Sequence, residues 1–315
     1  MMQTKPIATR ESYGRTLAQL GAENNKVVVL DADLAESTKT CMFQEKFPER
    51  HFDCGIAEAN MVSIAAGLAA AGMIPFVSSF AMFATGRAYE QIRNSVGYPH
   101  LNVKICASHA GISVGEDGAT HQCVEDIALM RGIPGMVVVN PADDTEASQA
   151  VRALADYKGP AYLRLGRLAV PVINDPESYY FELGRAVTLC EGKDATIIAT
   201  GLMVARALEA AEQLAQEGVQ VRVVNMHTIK PLDMEAVVSA AKETGCIVTA
   251  EEHSVIGGLY SAVCEAMVGA GVSCPVSPVA VMDVFGQSGP ANDLLEHYGL
   301  TAEAIAQKVR ERLAH

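Results

Sequence analysis

The sequence predicts an α/β fold, with a mostly parallel three-layer domain followed by a smaller α/β domain. Three observations predict it: short β-branched runs recur along the chain, amphipathic stretches lie between them, and 26 Gly with abundant Ala suit close helix–sheet packing. Such alternation builds right-handed crossover units with helices on both faces of a sheet, and these sheets carry ligands at the carboxyl ends of their strands. At 315 residues the chain can hold two compact units or one large α/β domain with an appendage.

In the first half, runs at 27–30, 74–78, 103–107, 136–139 and 161–165 predict the strands. Residues 60–86 carry no charge and have the hydropathy of a membrane span. Gly67, Gly72, Pro75, Ser78 and Ser79 divide them into an Ala-rich helix, a turn and a short strand, which reads as a buried helix–strand unit. From 168 to 184 the periodicity lapses into Pro171, Asn174, Pro176 and the pair Tyr179-Tyr180, predicting a linker draped over the surface. The boundary is placed so that residues 1–181 form the first domain and 182–315 the second. Beyond it, strands at 195–199, 221–224, 247–250 and 279–282 alternate with helices starting near Met203, Asp233 and Gly257.

Composition narrows the function classes. Half the residues are apolar, 19% are charged and the net charge is −13, so there is no basic stripe for a nucleic-acid backbone or an anionic membrane. An acidic protein that handles anionic small molecules must gather Arg, Lys or His locally in a cleft. Eight Cys without a C-x-x-C pair predict buried reduced thiols, and residues 1–10 lack the apolar core of a secretion signal; a cytoplasmic location is expected.

No G-x-G-x-x-G follows a strand, no Walker loop occurs, and neither H-E-x-x-H nor a Cys cluster suggests zinc. What remains is a set of polar residues at predicted strand ends: Asp33, Glu58, His109, Asp117, His121 and Arg167. Glu58 opens the uncharged helix, where it either complements the helix dipole or, beside an apolar wall, shares a proton with a cofactor nitrogen. Residues 115–122, Gly-Glu-Asp-Gly-Ala-Thr-His-Gln, form a loop whose glycines let backbone approach a ligand; alternatively Thr120 or Asp117 caps a helix starting near Val124. His109 reads equally as a surface histidine. Phe80 and Phe83 are either core or a platform for a planar cofactor. Arg164 and Arg167 are either surface charges or phosphate ligands.

Taken together, the strings Ala32-Asp33-Leu34-Ala35, Gly55-Ile56-Ala57-Glu58, Ser79-Phe80-Ala81-Met82-Phe83, Gly115 through Gln122, and Pro141-Ala142-Asp143 resemble the transketolase family. The resemblance runs over essentially the whole chain, as that family's pyrimidine-binding domain followed by its C-terminal domain, where Thr228-Ile229-Lys230-Pro231-Leu232-Asp233 looks like the family's turn after a strand. It implies transfer of a two-carbon ketol unit from a ketose phosphate to an aldose phosphate through a thiamine diphosphate ylide. It further implies that Glu58 hydrogen-bonds the aminopyrimidine, Phe83 stacks on it with Phe80 nearby, and Asp33 lies close to the cofactor at a subunit contact. By the same carry-over His121 is the substrate-side proton shuttle, Asp117 reads a donor hydroxyl, and His109, Arg10, Ser37 and Arg167 grip the sugar phosphate.

The family's Gly-Asp-Gly run and downstream Asn, which hold magnesium and the diphosphate, have no counterpart in this sequence, and Gly115-Glu116-Asp117-Gly118 is no substitute. The expectation is therefore a companion N-terminal subunit carrying the diphosphate-binding domain and Mg2+, in a dimer of heterodimers. Arg87-Ala88-Tyr89-Glu90-Gln91 is similar to deoxyxylulose-phosphate synthase, while Ser108-His109-Ala110-Gly111 departs from that enzyme and favours ketol transfer. A 2-oxo acid dehydrogenase β-subunit also pairs with a separate chain, but the 115–121 loop fits it poorly. A non-catalytic orphan binding subunit is the reading from a different class. Glu251-Glu252-His253 with Gly257-Gly258 reads as a strand-end turn or a place for a regulator.

Overall fold

The computed structural model describes residues 5–314 and folds them around two sheets and a two-stranded ribbon. In chain order the strands are β1 (Ile7–Ala8), β2 (Val27–Asp31), β3 (His51–Asp53), β4 (Ile74–Phe80), β5 (Lys104–Ser108), β6 (Val137–Val139) and β7 (Ala161–Arg164). Then come β8 (Ala169–Val170), β9 (Val187–Cys190), β10 (Ala195–Ala199), β11 (Val221–Asn225), β12 (Thr228–Lys230), β13 (Ile247–Ser254) and β14 (Val276–Val281). The first sheet runs β12-β6-β7-β5-β4-β2-β3, parallel except for β12 against β6. The second runs β14-β13-β10-β11-β9, parallel except for β9 against β11. This is the mostly parallel α/β architecture predicted.

Parallel pairing follows from patterning. Strands β2, β5 and β10 are buried at every position, so both faces must be covered, and crossover helices cover them. On one face of the first sheet the helices Thr9–Glu23 and Asp144–Asp156 pack together over Tyr13, Leu17, Val151 and Leu154. On the other face, Met61, Val62, Ala65 and Ala66 of the Glu58–Ala70 helix enter a core that continues through Val138 and Tyr162 to Ile198, Val224 and Ile229 of the second half. One apolar core therefore spans both sheets.

The differences from the sequence reading have physical causes. The Glu58–Ala70 helix is only half buried: Asn60, Ser63, Ile64 and Gly67 face outward, because its outward residues are small or neutral and give no polar stripe to read. The 228–233 turn begins as β12, which leaves the second half to close the edge of the first sheet. Strand β13 runs on to Ser254, past the expected end at 250, with Glu251, Glu252 and His253 buried among partners. Strand β3 is an element that the β-branched runs do not place, and the helix expected near Val124 begins at Asp126 without a side-chain cap from Thr120 or Asp117.

The linker is stapled down rather than loosely draped. Ala169 and Val170 pair with Ala8 and Ile7. Asp143 Oδ2 accepts from the Ile173 and Asn174 amides at 2.8 and 2.7 Å, and Phe181 is buried in the first unit's core. Tyr179 donates its hydroxyl to Glu146, which also takes a hydrogen bond from Asn225 Nδ2 at the end of β11. All eight cysteines are free; Cys106, Cys123 and Cys246 are buried and the others half-buried. Among the described residues no helix is long and apolar enough to cross a membrane.

Candidate active site

The candidate residues converge where β2, β4, β5 and β7 end, on the carboxyl side of the first sheet. Glu58 is the first residue of its helix and only 3% exposed. Ser79 Oγ, near the end of β4, donates to its Oε1 at 3.3 Å, and Arg87 Nη1 lies 3.4 Å from both oxygens. Arg87 reaches it because β4 is followed by a π-helical turn, Met82–Arg87, which also sets its guanidinium 4.1 Å above the Phe83 ring. The sequence reading missed Arg87 as a site residue; its spacing of four from Phe83 was the available signal.

The rings form a continuous wall. Phe80 stacks on Phe83 at 5.6 Å and on His109 at 3.8 Å, while His121 meets Phe83 edge-on at 5.2 Å. His109 is 3% exposed rather than a surface residue, and its backbone has φ +57°, a left-handed conformation uncommon outside Gly. Arg10 Nη1 sits 3.2 Å from His109 Nε2. A guanidinium only donates, so Nε2 accepts and the ring proton resides on Nδ1, which donates to Ser108 Oγ at 2.8 Å. Burial, reinforced by the charges of Arg10, Arg167 and His121, lowers the His109 pKa to about 3, which leaves the imidazole neutral at neutral pH.

Cations gather at the rim of this wall. Arg10 Nη1 also donates to the backbone carbonyl of Ser37 at 2.8 Å, so Ser37 enters through its main chain. Burial and the neighbouring Arg167 lower the Arg10 pKa, and Arg10 Nε is buried without a partner among the described residues. Arg167 Nη1 donates to Val114 O and pairs with Glu116 at 2.9 Å. Arg164 is no member of this cluster. It is buried and bonded to Asp126 at 2.7 Å, to the Glu252 carbonyl and to Cys123 O, so the reading of it as a phosphate ligand or surface charge is corrected.

Asp33 and Asp117 are exposed. Asp33 has φ +61° and its amide donates to Asp53 Oδ1. Neighbouring Asp31, which the sequence reading passed over, is the buried organiser of that loop, accepting from the Leu34 amide and the hydroxyls of Thr38 and Thr40. His121 takes Thr120 Oγ1 at 3.0 Å from its Nδ1. Glu251 accepts from the Leu259 and Tyr260 amides at 2.6 and 2.8 Å, so the chain's own carboxylate fills the helix start at 259 and the Glu251-Glu252-His253 stretch is a strand end and helix start. Among the described residues no group of three or more His, Cys, Asp or Glu is placed to hold a metal ion.

Two family models match the chain: "Transketolase, pyrimidine binding domain" over residues 5–172 and "Transketolase, C-terminal domain" over residues 184–305. A chain of Methanocaldococcus jannaschii named for a transketolase C-terminal section is 50% identical over 305 residues, covering 96% of each. A "6-deoxy-6-sulfo-D-fructose transketolase subunit" of Clostridium sp. is 45% identical, covering 96% of this chain and 93% of its own. A solved structure described as "Split gene transketolase, inactive beta4 tetramer" superposes with TM-score 0.89 at 52% identity, covering 98% of this chain and 99% of that one.

Proposed function

Because the chain belongs to the transketolase family, we propose that it is the C-terminal subunit of a two-chain transketolase, which moves a two-carbon ketol unit from a ketose phosphate to an aldose phosphate. The observation that carries this reading is Glu58, a carboxyl group 3% exposed, set next to the residues of a stacked aromatic wall. Residues 1–181 are read as the pyrimidine-binding domain and 182–315 as the C-terminal domain.

The donor set fits the aminopyrimidine end of thiamine diphosphate. A buried carboxyl group can share its proton with a ring nitrogen, which accepts it, and Phe80 and Phe83 offer apolar faces to a flat heterocycle. When bound, that cofactor supplies the carbanion chemistry and the electron sink. This chain's residues do the rest. Glu58 holds the proton at the pyrimidine nitrogen, and the rings exclude water. His121 moves a proton on the substrate side, Asp117 reads a hydroxyl, and Asp33 lies near the cofactor. Arg10 Nε, without a partner among the described residues, together with Arg167, neutral His109 and Ser37, receives the substrate's terminal anion. The Clostridium relative is named for a sulfonated sugar, which suits the view that this cluster reads a terminal oxyanion rather than phosphate alone.

The diphosphate and Mg2+ are assigned to a companion N-terminal subunit. The relatives named as a section, as a subunit and as a split gene support that division. The test is to purify the tagged chain from native cells with what accompanies it and to assay ketol transfer with thiamine diphosphate and magnesium. In that complex Glu58→Gln is expected to lower turnover by about a hundredfold or more, and unchanged turnover refutes the role given to Glu58.

A further inference from the structure

The loop from Gly111 to Gln122 carries Asp117 and His121, yet much of what holds it comes from the C-terminal domain. Glu252, on β13 and 3% exposed, accepts from the Ser113 amide through Oε1 at 2.5 Å. Gly111 lies so near that a Cβ there would sit 2.2 Å from the Glu252 carboxyl carbon. Gln122 is 4% exposed, and its Nε2 donates to Ile112 O at 3.1 Å, Gly115 O at 3.4 Å and Gln287 O at 3.0 Å. All three neighbours are acceptors, which fixes the amide's orientation.

Gln287 belongs to a strap of the C-terminal domain between β14 and the Ala291–His297 helix, and that strap presses on the loop throughout. A Cβ at Gly286 would stand 1.8 Å from Gln122 Oε1, and one at Gly118 would stand 2.3 Å from Ser288 Oγ. Val114, inside the loop, passes the constraint on by accepting from Arg167. Gly111, Gly115 and Gly118 all have positive φ, a backbone open to glycine at no steric cost, and these external tethers add to the loop's own turn hydrogen bonds, such as Gly115 N–H to Ile112 O at 3.1 Å.

We propose that the C-terminal domain sets the working geometry of this loop, with Gln122 and Glu252 as positioning residues for Asp117, His121 and Arg167. The functional consequence rests on the reading of the loop as substrate-side. The positioning itself does not.

Amide hydrogen exchange on the full chain, without cofactor or companion, tests it. Gln122→Met strips the donors from three carbonyls, and Gln122→Glu sets a carboxylate against them. Exchange at the bonded amides of Gly115, Gly118 and His121 is expected to quicken about tenfold in the first and more in the second, with β4, β5 and β10 unchanged. Gly286→Ala, which keeps the Gln122 amide group but drives the strap against it, should give the same local pattern. Glu252→Ala should loosen Ser113, and Glu252→Gln, which keeps an acceptor, should restore it. Unchanged exchange in the loop, or a rise spread evenly over both sheets, overturns the proposal. In the assembled enzyme the same variants should raise KM for the anionic sugar about tenfold while cofactor affinity holds. A loss confined to cofactor affinity contradicts the link to substrate, and absence of activity in every sample, with the exchange pattern intact, points instead to the functional reading.

Discussion

Three histidines, His109, His227 and His253, are buried in neutral form, with burial as the first cause in each. His227 isolates the effect: its ring packs against Phe181 at 4.4 Å, Nδ1 meets Thr228 Oγ1 at 2.9 Å, and Nε2 has no partner among the described residues. Its pKa is lowered to about 4 in the fold, whereas an unfolded histidine takes its proton near pH 6.5. A lowered folded pKa makes its contribution to stability complete above about pH 6.5 and lost as pH falls towards 4. Burial acts oppositely on Glu146 and Glu251, lifted to about 7, and Glu252, lifted to about 6, whose contributions are complete below the ordinary carboxyl range and lost as pH rises through those values. Comparing His227→Phe with the natural chain removes this common background. The variant's relative stability should improve steadily between pH 6.5 and 4.5 in urea titrations. A constant difference across that range shows that His227 is not the group being protonated.

Among the elements, the Asp144–Asp156 helix depends on one residue twice. Asp143 caps it through Oδ1, taking the Glu146 amide at 2.9 Å, while Oδ2 takes both linker amides. Asp143→Ala removes a cap and strands buried N–H groups, and should cost roughly 3 kcal/mol in denaturant unfolding. A cost below about 1 kcal/mol would mean that water replaces the carboxylate at those amides. Strands were readable in the string: the β-branched runs locate every long one to within a few residues. Unreadable were the pairings between distant segments. Nothing in 228–230 says that it crosses to the other sheet, and nothing near 58 announces Arg87. Arg164 and Arg167 look alike in sequence; only Asp126, 38 residues before Arg164, separates a buried keystone from a rim cation.

Across the whole molecule, that keystone joins the two sheets. Arg164 bonds Asp126 through Nε and Nη2, Asp126 also takes the Tyr162 hydroxyl at 2.6 Å, and Arg164 Nη2 reaches the Glu252 carbonyl of β13 at 2.9 Å. Both charges are buried, so Arg164→Met would strand a carboxylate and should cost about 3–5 kcal/mol, part of which a second change, Asp126→Asn, should restore. If Arg164 served an anion instead, stability would hold and substrate affinity would fall. The crossing of β12 has a consequence for how such a chain can be inherited or re-engineered. A cut in the linker would not release two portable modules, because the piece ending there would present the bare edge of β6, three consecutive valines, to any neighbouring chain. The smallest transplantable version of the first unit must carry its borrowed strand as far as Lys230, and a gene fusion or circular rearrangement has to respect that seam rather than the one visible in the amino-acid composition.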